Sequence, residues 1–215
     1  MAAISKKLVL LAGNIGSGKT SLTQLLGRKL GWETAFESVN DNPYLADFYA
    51  DMKTWSYHLQ TFFLGSRAEQ HCKLAGSDRS AIIDRSIYED AFIFARALNT
   101  MGNLNDKDYQ TYLSLYRIVI ENLPKPDLLI YLKAPVPVLM HRIEERARSM
   151  ETGISEDYLS LLNRYYEEWT SAFDICPMLT IESSDLDFVH KPQHMDIVVN
   201  TVLDRLFGKE ELHLD

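Results

Sequence analysis

The sequence predicts an α/β fold, built as a five-stranded, largely parallel sheet with helices on both faces in three layers. Three observations predict it. Short apolar runs bounded by turn residues alternate with longer segments of helical period. Polar residues follow each apolar run, as they do where parallel strands end at a site. A glycine-rich turn joins the first run to the first helix.

In chain order, Leu8–Ala12 is the first strand. Lys6 and Lys7 before it imitate the start of a signal peptide, but the apolar run is too short for one or for a membrane span. Lys19–Leu30 reads as a helix stopped by Gly31, and Glu33–Phe36 as a short, less apolar strand. Thr54–Leu74 is a long helix, apolar around much of its girth and therefore buried, in part by a second subunit. Ala81–Ile83 is the third strand, Tyr109–Asn122 an aromatic-rich helix and Leu128–Leu132 the fourth strand. Tyr158–Phe173, the strand Met178–Ile181 and the helix Met195–Phe207 complete the pattern. No repeat, low-complexity stretch or long linker divides the chain, so residues 1–215 are expected to form one domain.

Composition narrows the classes of function. With 46% hydrophobic and 24% charged residues the chain is globular rather than disordered. Thirty acidic against 22 basic residues give a net charge of −8, which disfavours a basic nucleic-acid binder. Neither a nucleic-acid nor a membrane partner is expected. Cys72 and Cys176 are far apart, with no zinc or redox spacing, as suits a reduced, cytoplasmic setting. An acidic protein that handles polyphosphate must concentrate its cations at one place.

Gly13-Asn14-Ile15-Gly16-Ser17-Gly18-Lys19-Thr20 matches GxxxxGK[ST] between a strand and a helix. Glycines let the backbone turn its N–H groups toward a phosphate, and the helix N-terminus adds positive potential. Lys19 would bridge the β- and γ-phosphates, and the Thr20 hydroxyl would ligate Mg²⁺ with ATP as donor. Switches, motors and kinases share such a loop. The chain has no NKxD or DxxG of a GTPase, and its third strand ends in Asp84-Arg85-Ser86 rather than in paired carboxylates. Asp84 can hold the hydrated Mg²⁺ and Arg85 the transferring phosphoryl group, which suits transfer to a bound acceptor.

Glu37 ends the second strand, in reach of the phosphate loop in a parallel sheet, where a carboxylate could act as general base on a hydroxyl. Arg142 and Arg146 lie four apart on one helix face, with Arg148 beyond. After the fourth strand they could form a lid, at about residues 142–151, over the phosphates. The competing view of each is structural: a solvated strand end and a charged surface helix.

Together these stretches resemble the deoxynucleoside kinase family, from Leu8 to about Val189. The resemblance lies in GNIGSGKT, FESV, Tyr49 followed by WSYHLQTFFLGSR, DRSIYED, HRIEERARSME and DLDF. It implies a phosphate-loop NTPase-type fold and ATP-dependent phosphorylation of a deoxynucleoside 5′-hydroxyl. Glu37 matches the base, held by Arg85, and Tyr49 and Glu151 match the pair on the 3′-hydroxyl. Gln60 matches the glutamine at the base edge, Arg67 and Asp90 the polar pair beside it, and Trp55, Phe63 and Phe92 the aromatic walls. Arg142, Arg146 and Arg148 match the lid, and Asp187-Phe188 the loop bordering the donor adenine. Met150 beside Glu151 departs from relatives with paired acids there. The resemblance favours deoxyadenosine and deoxycytidine over thymidine, with deoxyguanosine as the alternative, and implies a helical homodimer. A nucleoside-monophosphate kinase is disfavoured because Glu37 would repel a monophosphate. A non-catalytic ATP-binding regulator would have no use for Glu37, Arg85 and the lid.

Overall fold

A computed structural model of the chain describes residues 6–36, 42–146 and 153–208. Five strands form one parallel sheet in the order β2-β3-β1-β4-β5: β1 Leu8–Gly13, β2 Glu33–Ala35, β3 Ala81–Asp84, β4 Leu128–Lys133 and β5 Met178–Glu182. The five predicted strands are all present, four of them one residue longer than their apolar runs. The added residues are Gly13, Asp84, Lys133 and Glu182, polar groups or glycine at the C-terminal ends. β2 instead stops at Ala35, one residue short of Phe36.

The layers follow from alternation along the strands. Leu8, Leu10 and Ala12 of β1 face one core and Val9 and Leu11 the other. In β3 Ala81 and Ile83 join the first core and Ile82 the second, and Leu129 and Tyr131 of β4 oppose Leu128, Ile130 and Leu132 in the same way. One side is covered by α1 Lys19–Leu30 and, at the chain's end, α8 Pro192–Phe207, which supply Leu22, Leu26, Val198 and Val202. Tyr and Leu side chains from the helices of the other side fill the larger first core. A strand buried on both faces reads as an unbroken apolar run, which is why β1, β3 and β4 are legible in the sequence.

The larger side contains α2 Leu45–Ala50, α3 Met52–Gly76, α4 Arg96–Thr100, α5 Asp106–Glu121 and α7 Glu156–Ala172, while α6 Val136–Arg146 packs Leu139 and Ile143 against Leu159 of α7 in a separate small core. Caps set several boundaries that periodicity alone places a few residues inward. Asp51 accepts from the Thr54 N–H, Asn105 from Asp108 and Ser155 from Tyr158. α3 is less apolar on its buried side than its composition suggests: Ser56, Gln60, Arg67 and His71 are buried there with Leu59 and Leu64. Between β3 and α4 lie a 3₁₀ turn, Ile87–Glu89, and a π-helical turn, Asp90–Ala95. Such π-turns are concentrated at functional sites. Cys72 and Cys176 are both free thiols. Among the described residues no helix is long and apolar enough to cross a membrane.

Candidate active site

The central strand β1 and its neighbour β3 run in register, Leu11 beside Asp84, so the phosphate loop and the Asp84-Arg85-Ser86 turn emerge side by side. The loop needs glycine at two positions in particular. Gly16 has φ +81° and Gly18 φ +97°, and a Cβ on Gly16 would stand 2.8 Å from the Leu139 carbonyl. Lys19 Nζ donates to the carbonyls of Gly13 at 2.7 Å and Asn14 at 2.9 Å, folded back along the loop. The Asn14 side chain is buried and donates to Leu159 O and Asn163 Oδ1, while accepting from Ile15 N. It therefore ties the loop to α7.

Thr20 at the head of α1 donates its hydroxyl to Asp84 Oδ2 at 2.6 Å, and Asp84 Oδ1 is buried with no hydrogen-bond partner among the described residues. A hydroxyl and a carboxylate converging beside a phosphate loop are the hard oxygen donors that Mg²⁺ takes, with phosphates and water completing the shell. The residues present fit that ion. Among the described residues no group of three or more His, Cys, Asp or Glu side chains gathers elsewhere to hold a metal.

Arg85 follows at φ +77°, the one non-glycine residue with positive φ among the described residues. An arginine in this conformation costs about 1–2 kcal/mol, strain concentrated at functional sites. It turns the guanidinium back over the Phe94 ring, 4.5 Å from the centroid. Ser86 then caps the 3₁₀ turn: its Oγ accepts from Tyr88 N, and Glu89 Oε1 accepts from Ser86 N. This capping box, Ser86-Ile87-Tyr88-Glu89, is a sequence signal that identifies Glu89 as a buried structural group.

These groups open into a cavity of about 720 Å³, within the range of small-molecule sites. Lys19, Thr20, Asp84 and Arg85 line it together with Gln60, Phe63, Arg67 and Asp90. Gln60, Phe63 and Arg67 share a face of α3 through their spacing. Arg67 pairs with the buried Asp90 and lies over Phe63, 4.7 Å from its ring centroid. Gln60 Oε1 and Asp90 Oδ2 have no hydrogen-bond partner among the described residues. Buried acceptors of this kind call for donors from a ligand. Tyr49 also lines the cavity.

Arg142 on α6 donates to Ser183 Oγ and Ser183 O, and to Ser17 O of the phosphate loop at 3.5 Å. Arg146, one turn later, lines the cavity. Glu37, Arg148 and Glu151 lie outside the described residues. The chain immediately before Glu37 is fixed at the end of β2, where Phe36 O accepts from Gln70 Nε2 of α3.

Two expected contacts fall elsewhere. Phe92 is 43% exposed and packs edge-on against Tyr116, away from the cavity, whereas Phe94 lines it. Helical spacing is the reason: two residues beyond Asp90 the chain points to the opposite side, and four residues beyond it has come round again, in this π-turn as in an α-helix. Trp55 stands against Tyr44 and His58 rather than in the cavity wall, to one side of the α3 face that carries the lining residues Met52, Leu59 and Gln60. Phe188 is 4% exposed, built into the core beneath the phosphate loop beside Gly18, and Asp187 accepts from the His190 N–H. That bond holds the Asp187 carboxyl below the ordinary range.

Tyr158 of α7 was not apparent from the sequence. It lines the cavity, and burial pushes its hydroxyl up to about 12 against the opposing influence of Arg85. Only the aromatic content of the helix hinted at it.

A strand-anchored phosphate loop, an acid and an arginine at the adjacent strand end, and a ligand-sized cavity beyond define a phosphate-loop kinase. Residues 9–207 match the deoxynucleoside kinase profile, and the chain belongs to that family. It is 36% identical to a Bacillus subtilis deoxyadenosine/deoxycytidine kinase, over 91% of each chain. It is 34% identical to a Lactobacillus acidophilus deoxyguanosine kinase, over 97% of this chain and 94% of the other. A solved M. mycoides deoxyadenosine kinase, bound to the products dCMP and dCDP, superposes with TM-score 0.80 at 29% identity, covering 91% of this chain and 98% of its own. The protein is thus a phosphotransferase of the deoxynucleoside kinase type.

Proposed function

We propose that the chain phosphorylates the 5′-hydroxyl of deoxyadenosine and deoxycytidine, using Mg·ATP, in nucleotide salvage in the cytoplasm. The observation that carries the choice of base is the buried Arg67–Asp90 pair, which lines the cavity together with Gln60 of the same helix face as Arg67. An amide donates and accepts, so Gln60 serves the edge of adenine or cytosine, and Asp90 Oδ2 accepts from an exocyclic amine. The same kinds of group suit guanine less well, since its O6 would face that carboxylate oxygen.

In this mechanism the phosphate loop orients ATP and Lys19 leaves the Gly13 and Asn14 carbonyls for the phosphates. Thr20 and Asp84 would hold Mg²⁺, which would neutralise phosphate charge. Arg85, Arg142, Arg146 and Arg148 stabilise charge on the transferring group. Glu37 removes the proton of the attacking 5′-oxygen, and Arg85 holds that carboxylate. Tyr49 and Glu151 position the sugar by its 3′-hydroxyl, with Tyr49 packed where a ribose 2′-hydroxyl would stand. The cavity holds the acceptor beside the phosphate loop and so favours an in-line approach. Glu37→Gln is expected to lower kcat by on the order of 10²–10⁴ while ATP binding persists; unchanged turnover would remove Glu37 from the role of base.

A homodimer through α3 and α5 completes this proposal. Leu115 and Ile118 on α5 are 39% and 62% exposed, apolar surface suited to a second copy. A monomer in sedimentation at micromolar concentration would contradict it.

A further inference from the structure

The Gly13 carbonyl, where β1 passes into the phosphate loop, is served by two donors. Lys19 Nζ lies 2.7 Å from it and the Tyr166 hydroxyl 2.7 Å. The same hydroxyl lies 2.6 Å from Glu89 Oε2. A phenol carries one proton, so at any moment it donates to Gly13 O or to Glu89, not to both. Glu89 is fully buried. Its Oε1 accepts from Ser86 N at 3.0 Å and its Oε2 from Gly13 N at 3.2 Å, so it spans the start of the phosphate loop and the turn that carries Arg85. The Tyr166 ring is fixed by stacking on Tyr131 and by edge contacts with Trp169 and Phe94. Its oxygen can therefore redirect its proton without moving.

We propose that Tyr166, oriented by Glu89, is a positioning residue that releases Lys19 to a bound nucleotide. With Lys19 folded back on Gly13 O, the hydroxyl donates to Glu89. When the ammonium leaves for the phosphates, the hydroxyl turns its proton to Gly13 O. Glu89 retains its two backbone donors, so neither buried acceptor is abandoned. The exchange lowers the cost of moving the lysine and keeps the loop and the Arg85 turn in register while it moves. This rests on the assignment of Gly13–Thr20 to the phosphates of ATP.

The test is Tyr166→Phe, which preserves the ring and removes only the hydroxyl. Titration calorimetry should show ATP binding about tenfold weaker, the scale of a lost buried hydrogen bond, with deoxynucleoside binding unchanged. In a Lys19→Met background, where no ammonium occupies Gly13 O in either state, Tyr166→Phe should leave ATP affinity unaltered. Equal weakening for both ligands, unchanged ATP affinity, or the same loss in the Lys19→Met background would overturn the proposal. If the wild type bound no ATP, the assignment of the loop itself would fall with it. A second measurement needs no variant. In wild-type protein labelled at the glutamate carboxyl carbon, the Glu89 resonance should shift when ATP binds, as it loses the phenol donor; an unshifted resonance would overturn the proposal.

Discussion

The Thr20 hydroxyl and the Asp84 carboxylate meet at 2.6 Å, joining the first turn of α1 to the end of β3. Asp84 has one oxygen in that bond and the other buried without a partner among the described residues. The pair is consequently half-satisfied by the described residues alone, which leaves a carboxylate oxygen for the proposed Mg²⁺. Asp84→Asn retains the bond to Thr20 but removes the charge. Its expected effect is a loss in kcat on the order of 10²–10³, the scale of one removed electrostatic contact, with a raised requirement for Mg²⁺. Wild-type turnover at limiting Mg²⁺ would exclude Asp84 from the metal site.

The Arg67–Asp90 pair is buried on both sides, with side-chain exposures of 10% and 0%. Arg67→Met leaves a buried carboxylate without that cation and should destabilise the fold by about 3–5 kcal/mol, read by denaturant titration. Adding Asp90→Ala should restore much of that stability, because an apolar pair is tolerated where a lone charge is not. The double variant should nonetheless lose its preference for deoxyadenosine and deoxycytidine. A double variant with intact selectivity would mean that the pair is structural only.

His71 gives the stability a pH dependence. It is buried on α3, with Nε2 2.7 Å from Pro124 O, and burial lowers its pKa below the ordinary 6.5. Below about pH 6.5 the unfolded chain takes up a proton that the folded chain refuses. The contribution is complete above that pH and is lost progressively as pH falls toward the folded value, with a slope of at most about 1.4 kcal/mol per pH unit. Thermal unfolding between pH 7 and 5.5 should show wild type losing stability and His71→Gln losing less. Parallel curves would assign the acid sensitivity to other groups.

The parts most legible in the sequence are those where one local rule decides. Leu8–Gly13 is apolar throughout because both faces are buried, and GxxxxGK[ST] follows from the backbone that a phosphate demands. The Lys19–Leu30 helix is bounded by left-handed glycines at Gly18 and Gly31, and its observed limits coincide with the predicted ones. Element ends set by side-chain caps, such as Asp51 and Asn105, are shifted from the apolar period by two or three residues.

What the sequence conceals depends on non-local geometry. Phe92 points away from the cavity and Phe94 into it, as a helical period counted from Asp90 requires, but the sequence does not mark that a helical turn begins at Asp90. Tyr158 and Tyr166 read as core aromatics on α7. One lines the cavity and the other touches Gly13, a contact between residues 153 apart in the chain. Glu89 is visible as the fourth residue of a capping box, but its contact with Gly13 N depends on β1 and β3 being neighbours.

The central claim is that this site transfers the γ-phosphoryl group of ATP to deoxyadenosine and deoxycytidine. The most direct measurement is phosphorylation of each of the four deoxynucleosides by the purified protein with Mg·ATP, with adenosine as the ribose control. The expected result is the highest kcat/KM on deoxyadenosine and deoxycytidine, lower on deoxyguanosine, and little on thymidine or adenosine. Transfer to nucleoside monophosphates alone, or equal rates on adenosine and deoxyadenosine, would contradict it.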